Sequence, residues 1–353
     1  MKHRTESLVA SSLGRWKGEP VMNMRGFLFC LLTLAVIVGR TGIGYVQAGE
    51  PAYPTKQVEY IQTAAPGGGQ DAVSRAVAEY VTKKWGQPVV VVNKTGGGTV
   101  LGTHYALKEA RPDGYTVFGE THIHTSLMMA GMVDPPVKLE DRIFIARFVV
   151  DPVCFAVNAD APWKTLKELS DWTKVHSKEL IWGTTGAFGT SAFGIGEWLV
   201  AIGVNPLDTR MVTSSGWGET APRLLGGHVM LACQSVAEFF QLTKAGKIRT
   251  LAVVAEKRSP YLPEVPTAAE AGVPGLKGVN WWAGLSVRPG TPQYIIDKWA
   301  KVAQEMCKDP VFLQKIETLR ANVAYLGPAD FKDYVYKEAE YFIKLAPKLG
   351  VRK

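Results

Sequence analysis

The feature that most restricts this chain is a regular alternation of short β-rich runs with amphipathic helical stretches, joined by glycine-rich loops. Val58–Thr63 is rich in β-formers, and Ala72, Val73, Ala76, Val77, Tyr80 and Val81 then recur at helical spacing until Gly86 stops the run. Pro88–Asn93 holds four consecutive valines, the pattern of a strand covered on both faces. Val100–Ala110 reads as the next helix, Pro112-Asp113-Gly114 as a turn and Tyr115–Gly119 as a strand. The rhythm returns with strands at Leu180–Trp182, Arg210–Val212, Val229–Cys233 and Arg249–Val254. Helices Thr190–Ile202, Trp217–Leu225 and Val236–Ala245 lie between them. This predicts an α/β protein with mostly parallel sheets. Pro292–Lys308, Pro310–Ala321 and Pro328–Leu345 are further helical stretches, each opened by a proline near its first turn, and read as helices on the outside of a lobe.

At 353 residues the chain is long enough for two lobes with separate cores. Its formal charge of +8 is half accounted for by residues 1–48, which carry six Lys/Arg against two Glu. No basic run with interleaved aromatics occurs, so nucleic-acid binding finds no support. Arg25 precedes the apolar run Phe27–Val38, and Val46-Gln47-Ala48 forms a small-residue cleavage pattern before Gly49. Residues 1–48 thus read as a secretory signal peptide with an over-extended start, the true one being Met22 or Met24. The run is shorter than the roughly 20 residues needed to span a bilayer. Export would permit disulfides. Cys154, Cys233 and Cys307 sit in apolar surroundings at wide spacing, and they read as buried small hydrophobes, at least one of them free. No Cys/His ligand spacing, nucleophile elbow, phosphate-binding loop or dinucleotide fingerprint is present, so no metal, cofactor or catalytic site is expected.

Two strand-to-helix loops carry the candidate chemistry. Ala65-Pro66-Gly67-Gly68-Gly69-Gln70-Asp71 and Asn93-Lys94-Thr95-Gly96-Gly97-Gly98-Thr99 let the backbone approach a ligand closely. The helix N-termini that follow favour an anion. Neither loop contains Arg, and Lys94 is the one cation beside them, so backbone N–H groups must do most of the neutralising. Thr184–Ser191 and Thr213–Gly216 are hydroxyl-rich strand-to-helix loops that could hold the ligand's other end. Glu120, His122 and His124 follow a strand, with ligand contact, an exposed loop and catalysis all open as readings.

In order and spacing, the blocks Tyr53-Pro54-Thr55-Lys56, Ala65–Asp71, Gly86–Asn93, Pro112-Asp113-Gly114-Tyr115-Thr116, Leu224-Leu225-Gly226-Gly227, Lys244–Val253, Lys257-Arg258-Ser259-Pro260, Val265–Gly275 and Pro289-Gly290-Thr291-Pro292 resemble the receptors of tripartite tricarboxylate transporters, the Bug family. The resemblance spans the chain beyond the signal segment. It implies an α/β type II periplasmic binding protein with two lobes, each a mostly parallel sheet flanked by helices, and the ligand in the interlobe cleft. Lobe 1 would comprise residues 49–150 and 281–353, lobe 2 residues 151–280, with crossings near Val149–Pro152 and Trp281–Leu285. The carried-over ligand contacts are Pro66, Gly67, Gly68, Gly69 and Asp71 in the first loop, and Gly96, Gly97, Gly98, Thr99 and Val100 in the second. Glu120, Thr121 and His122 follow at the strand end, Gly189, Thr190, Ser191, Ser214, Ser215 and Gly216 in lobe 2, with Gln234 and Trp282 as further contacts.

The implied function is non-catalytic. A monomeric periplasmic receptor would capture a small carboxylate without a cofactor and deliver it to a membrane permease of the tripartite type, or signal through a sensor kinase. Several positions depart from the family pattern. Met230 stands where an aspartate is common, Ser214-Ser215-Gly216 replaces a Tyr-Lys-Gly block, and Glu120, His122 and His124 replace small hydroxyl residues. The second glycine loop ends in Thr99-Val100-Leu101 rather than in further small residues. These changes cluster at the carried-over pocket, so they bear on which carboxylate is bound.

Overall fold

A computed structural model describes residues 51–350 except 187, 215, 277 and 278. The expected signal peptide and Ser215 lie outside the described residues.

The strands are β1 (Val58–Gln62), β2 (Val89–Asn93), β3 (Thr116–Thr121), β4 (Ile143–Asp151), β5 (Val153–Asn158), β6 (Ile181–Thr185), β7 (Arg210–Ser214), β8 (Leu231–Ser235), β9 (Ile248–Val253), β10 (Trp281–Val287) and β11 (Asn322–Leu326). The helices are α1 (Gly69–Trp85), α2 (Val100–His104), α3 (Ser126–Gly131), α4 (Leu166–Val175), α5 (Thr190–Ala201), α6 (Trp217–Leu225), α7 (Val236–Lys244), α8 (Gln293–Met306), α9 (Pro310–Thr318) and α10 (Pro328–Leu345). They build two sheets with orders β11-β4-β10-β3-β1-β2 and β7-β6-β8-β5-β9.

The alternating pattern predicts mostly parallel sheets, and the pairings refine this. β1 pairs in parallel with β2 and β3, and β6 with β7 and β8. The ladders formed by β4, β5, β10 and β11 are antiparallel. The cause is topological. β4 runs in the same sense as β1, β2 and β3, and β9 in the same sense as β6, β7 and β8; β5 and β10, which enter each sheet directly from the other, run against them, and β11 runs against β4. β10 returns the chain to the first sheet and pairs Trp281 with Asp151, setting both crossings side by side. The four valines also need correcting. β2 is an edge strand: Val89 and Val91 pack on the cluster under the sheet and Val92 on a second cluster on the other face, but Val90 is 39% exposed, so cover of that second face is only partial.

Each sheet has its own core. Val58, Tyr60, Val77, Phe148, Leu285 and Trp299 belong to the cluster under the first, and Phe155, Trp182, Ile195, Trp198 and Leu231 to a cluster under the second. α1 ends at Gly86, whose left-handed backbone carries an N–H bonded to the Thr82 carbonyl, a common helix stop. α10 and the turn after it leave the first sheet's territory. Phe342, Leu345, Ala346 and Leu349 pack in one cluster with Phe193 of α5, and Tyr341 hydrogen-bonds Glu197. Cys154, Cys233 and Cys307 are free and buried, as their apolar surroundings suggested.

Candidate functional site

The carboxyl ends of the central strands face one another across a cavity of about 330 Å3. The first residues of four helices line it: Gly69 and Gln70 of α1, Thr190 of α5, Trp217 of α6, and Ala237 and Glu238 of α7. Three of these helices have glycine at the capping position: Gly68, Gly189 and Gly216. Glycine offers no side-chain acceptor, so the first-turn amides keep their hydrogen-bonding capacity, and the helix dipole adds about half a positive charge at each of these N-termini. Gln70 contributes a side-chain donor, because its Nε2 is buried in the wall of the same cavity without a partner among the described residues.

The fourth helix differs. Ser235 caps α7 by accepting the Glu238 N–H, and Asp151 Oδ2 accepts the Ala237 N–H at 3.1 Å. Asp151 is 2% exposed and its Oδ1 has no hydrogen-bond partner among the described residues. Burial pushes its carboxyl up to about 7, against the pull of Ser235 and the Ala237 and Val236 amides. Ala64, Gly68, Val73, Ile123, Gly216, Gln234, Ser235, Trp281, Leu319 and Ala321 complete the wall.

Of the residues expected at the site, Gly68, Gly69, Thr190, Gly216 and Gln234 line this cavity. Others serve its frame. Asp71 accepts the Gly67 N–H at 2.9 Å, Arg75 Nε at 2.8 Å and Asn93 Nδ2 at 2.9 Å. Burial opposes its ionisation, but these three donors hold the carboxyl down to about 2. Asp71 thus braces the loop of Pro66 and Gly67 to the end of β2. Ser191 donates to the Cys233 carbonyl at 2.6 Å, and Ser214 donates to the Thr184 carbonyl at 3.1 Å. Gly96, Gly97, Gly98 and Thr99 run through four positive φ values on an exposed loop, and neither they nor Val100 line the cavity.

The strand-end trio is interior. Glu120 is bidentate to Arg142 Nη1 at 2.8 and 2.9 Å and accepts Ser286 Oγ at 2.6 Å, with both charged side chains fully covered. Its acceptors are thereby engaged within the lobe. The Thr121 N–H donates to His124 Nδ1 at 3.2 Å, so His124 Nε2 carries the proton and donates to Thr63 Oγ1 at 2.5 Å. His122 Nε2 bonds Thr190 Oγ1 at 2.7 Å, linking the end of β3 to the start of α5 across the seam between the sheets. Burial holds His122 down to about 3 and pushes His124 well below the usual histidine range, so both rings are neutral.

Trp282, expected at the site, is fully buried among Phe144, Phe331 and Val335, and its Nε1 donates to Glu338. Trp281 lines the cavity instead, because successive strand residues point to opposite faces. Asp151, Glu238, Trp217 and Gln70 were also missed. For Asp151 a signal existed, since an acidic residue immediately before a crossing proline has no reason to sit between two apolar strands unless it faces polar groups.

Two sheets joined by adjacent crossing strands, with helix N-termini turned into the cleft between them, define a two-lobed solute-binding protein. Three solved structures share the arrangement. The periplasmic binding protein BugD matches with a TM-score of 0.72 and 28% identity, over 85% of this chain and all of that one. MatC from Rhodopseudomonas palustris, solved with malate, matches at 0.73 and 25%, over 83% of this chain and all of that one. Another R. palustris protein, solved with adipate, matches at 0.75 and 25%, over 85% and 99%. The family model for the tripartite tricarboxylate transporter receptors matches residues 73–345, and the chain belongs to that family. It is a periplasmic solute-binding protein of the Bug type, and the family and its structural neighbours are binding proteins, not enzymes.

Proposed function

We propose that this protein captures a small carboxylate in the interlobe cavity, as a monomer without a cofactor, and delivers it to a membrane permease of the tripartite tricarboxylate type. The observation that carries the reading is the convergence of three glycine-capped helix N-termini on one cavity of about 330 Å3. Each terminus supplies about half a unit of positive charge, so two or more are needed to balance one carboxylate. The relatives solved with malate and adipate support a carboxylate as ligand. The volume suits a small molecule, at the lower end of ordinary ligand pockets.

Residues 1–48 act as a cleaved export signal in this reading, and His122–Thr190 is one latch of the closed form. A thermal-shift and calorimetric screen of mono-, di- and amino-carboxylates tests it. A true ligand at 100 times its dissociation constant adds about 2.7 kcal/mol to stability. If no carboxylate stabilises the protein or gives heat, the reading fails. Uptake by membrane vesicles carrying a tripartite permease should rise when the loaded receptor is added, and indifference to it would refute the delivery step.

A further inference from the structure

The cavity also carries acidic groups in its wall, the wrong sign for a second carboxylate. Asp151 and Glu238 both line it, and its described lining residues include no Lys, Arg or His. Asp151 is 2% exposed, and Oδ1 has no donor among the described residues while Oδ2 holds the Ala237 amide. A buried carboxylate oxygen with no partner is costly, and it is relieved by a group that brings N–H donors and positive charge. Trp217 and Trp281 stand in the same wall, and aromatic rings attract a cation as well as excluding water. Trp281 is paired with Asp151 across β10 and β4, so ring and carboxylate belong to neighbouring positions of the crossing strands.

We propose that the ligand is amphoteric: a carboxylate held at the glycine-capped helix ends, and a protonated amine held by Asp151 and Glu238 beside Trp217 and Trp281. The proposal rests on the carboxylate reading above and narrows it to amino-carboxylates. A primary or secondary amine is specified over a quaternary one, because Asp151 Oδ1 needs a hydrogen-bond donor. A dicarboxylate of the same length would instead set a negative group against two acidic side chains.

The test is calorimetry on the intact mature protein with matched probes. Each pair has one carbon skeleton ending in either carboxylate or amine: succinate with 3-aminopropanoate, glutarate with 4-aminobutyrate, adipate with 5-aminopentanoate, and pimelate with 6-aminohexanoate. The amine of at least one pair is expected to bind ten-fold or more tighter than its dicarboxylate. Glu238→Gln should narrow that preference several-fold. Asp151→Asn should abolish it, and Glu238→Gln keeps the test decisive if Asp151→Asn fails to fold. Dicarboxylates binding as tightly as their amines, or tighter, would overturn the amphoteric ligand and leave the carboxylate reading standing. Silence from all eight probes would overturn the proposal, and the broader carboxylate screen would then decide the reading beneath it.

Discussion

The N-termini of α1 and α7 lie on the walls of the same cavity and are built in opposite ways. α1 starts from Gly68 with no side-chain cap, and its own Asp71 is turned away to bind Gly67, Arg75 and Asn93. α7 starts from Ser235, receives the Asp151 carboxylate on its Ala237 amide and carries Glu238 in its first turn. One terminus is left electropositive, and the other is over-neutralised. The lesson is that a helix N-terminus is an anion site only where the chain withholds its own acceptors. Counting glycine-rich loops does not identify such sites, because the exposed Gly96–Gly98 loop has the composition without the placement.

The sharpest way to break this contrast is to fill the electropositive end. Gly68 has an ordinary extended backbone at φ −76°, and a Cβ there would meet only the Ala65 carbonyl oxygen at 3.6 Å. Gly68→Val should therefore fold with little strain while placing a branched side chain in the cavity wall. A loss of about 100-fold in carboxylate affinity is expected, equivalent to about 2.7 kcal/mol. Gly97→Val is the control. Its φ of +58° penalises a branched residue by roughly 1–2 kcal/mol of stability, yet it is outside the cavity and should leave affinity within about threefold. Denaturant unfolding and calorimetry on both variants check this, and a reversal of the two effects would show that the second loop is the true anion site.

A smaller effect tests the acidic end. Trp281→Ala should weaken an amine-bearing ligand about ten-fold, by roughly the 1.4 kcal/mol that a partly desolvated cation–π contact provides. Its effect on a dicarboxylate should be weaker. Equal losses for both ligands would mean that Trp281 only fills space.

The seam between the lobes sets an acid limit. His122 is held down to about 3 by burial, so the unfolded chain binds a proton there between about pH 3 and 6.5 while the folded chain does not. Its contribution is present above pH 6.5 and is lost as pH falls, by up to about 1.4 kcal/mol per pH unit. Asp151 and Glu338, raised to about 7 and about 6, act in the opposite direction over part of this range. The clean comparison is therefore with His122→Gln: urea unfolding from pH 6.5 to 4.5 should show a slope shallower by about one proton. An unchanged slope would place His122 in a wetter setting than its cover implies.

How far the sequence foretold this depended on what periodicity can report. The helices Trp217–Leu225 and Pro328–Leu345 were legible to the residue, since each has a defined apolar stripe and a glycine or proline at its boundary. The reversed strands β5, β10 and β11 were not legible, because local pattern says nothing about which sheet a strand joins or in which direction. Of the residues expected at the site, Gly68, Gly69, Thr190, Gly216 and Gln234 line the cavity, as loop position suggested, whereas the orientation of neighbouring residues was not legible. Gln70 faces the cavity where Asp71 was expected, and Trp281 where Trp282 was expected. These are one-residue differences in phase, and strand and helix phase is fixed by tertiary packing: Trp282 is committed by Phe331 and Glu338, Asp71 by Arg75 and Asn93. Glu120 looked like a ligand contact only because Arg142 and Ser286, its partners, are remote in sequence.

The smallest expected signal, a fraction of a proton, separates the two ends by sign. With its carboxyl raised to about 7 by burial, Asp151 is about half ionised at pH 7 before ligand arrives. An ammonium bound beside it favours the ionised form, so binding should release up to about half a proton at pH 7 and almost none at pH 9. A carboxylate bound beside it favours the protonated form, so binding should take protons up. The other titratable groups facing Asp151 are Glu238, Cys154 and Tyr261. Burial drives the Cys154 thiol well above its usual range and raises Tyr261, so neither exchanges a proton near pH 7. Glu238 is separated by repeating the measurement in Glu238→Gln. Calorimetry in phosphate and in Tris, whose ionisation enthalpies differ widely, reads the proton count directly. Release that persists in Glu238→Gln and disappears in Asp151→Asn would assign the proton to Asp151, whereas uptake on binding an amine would contradict the contrast between the two helix ends.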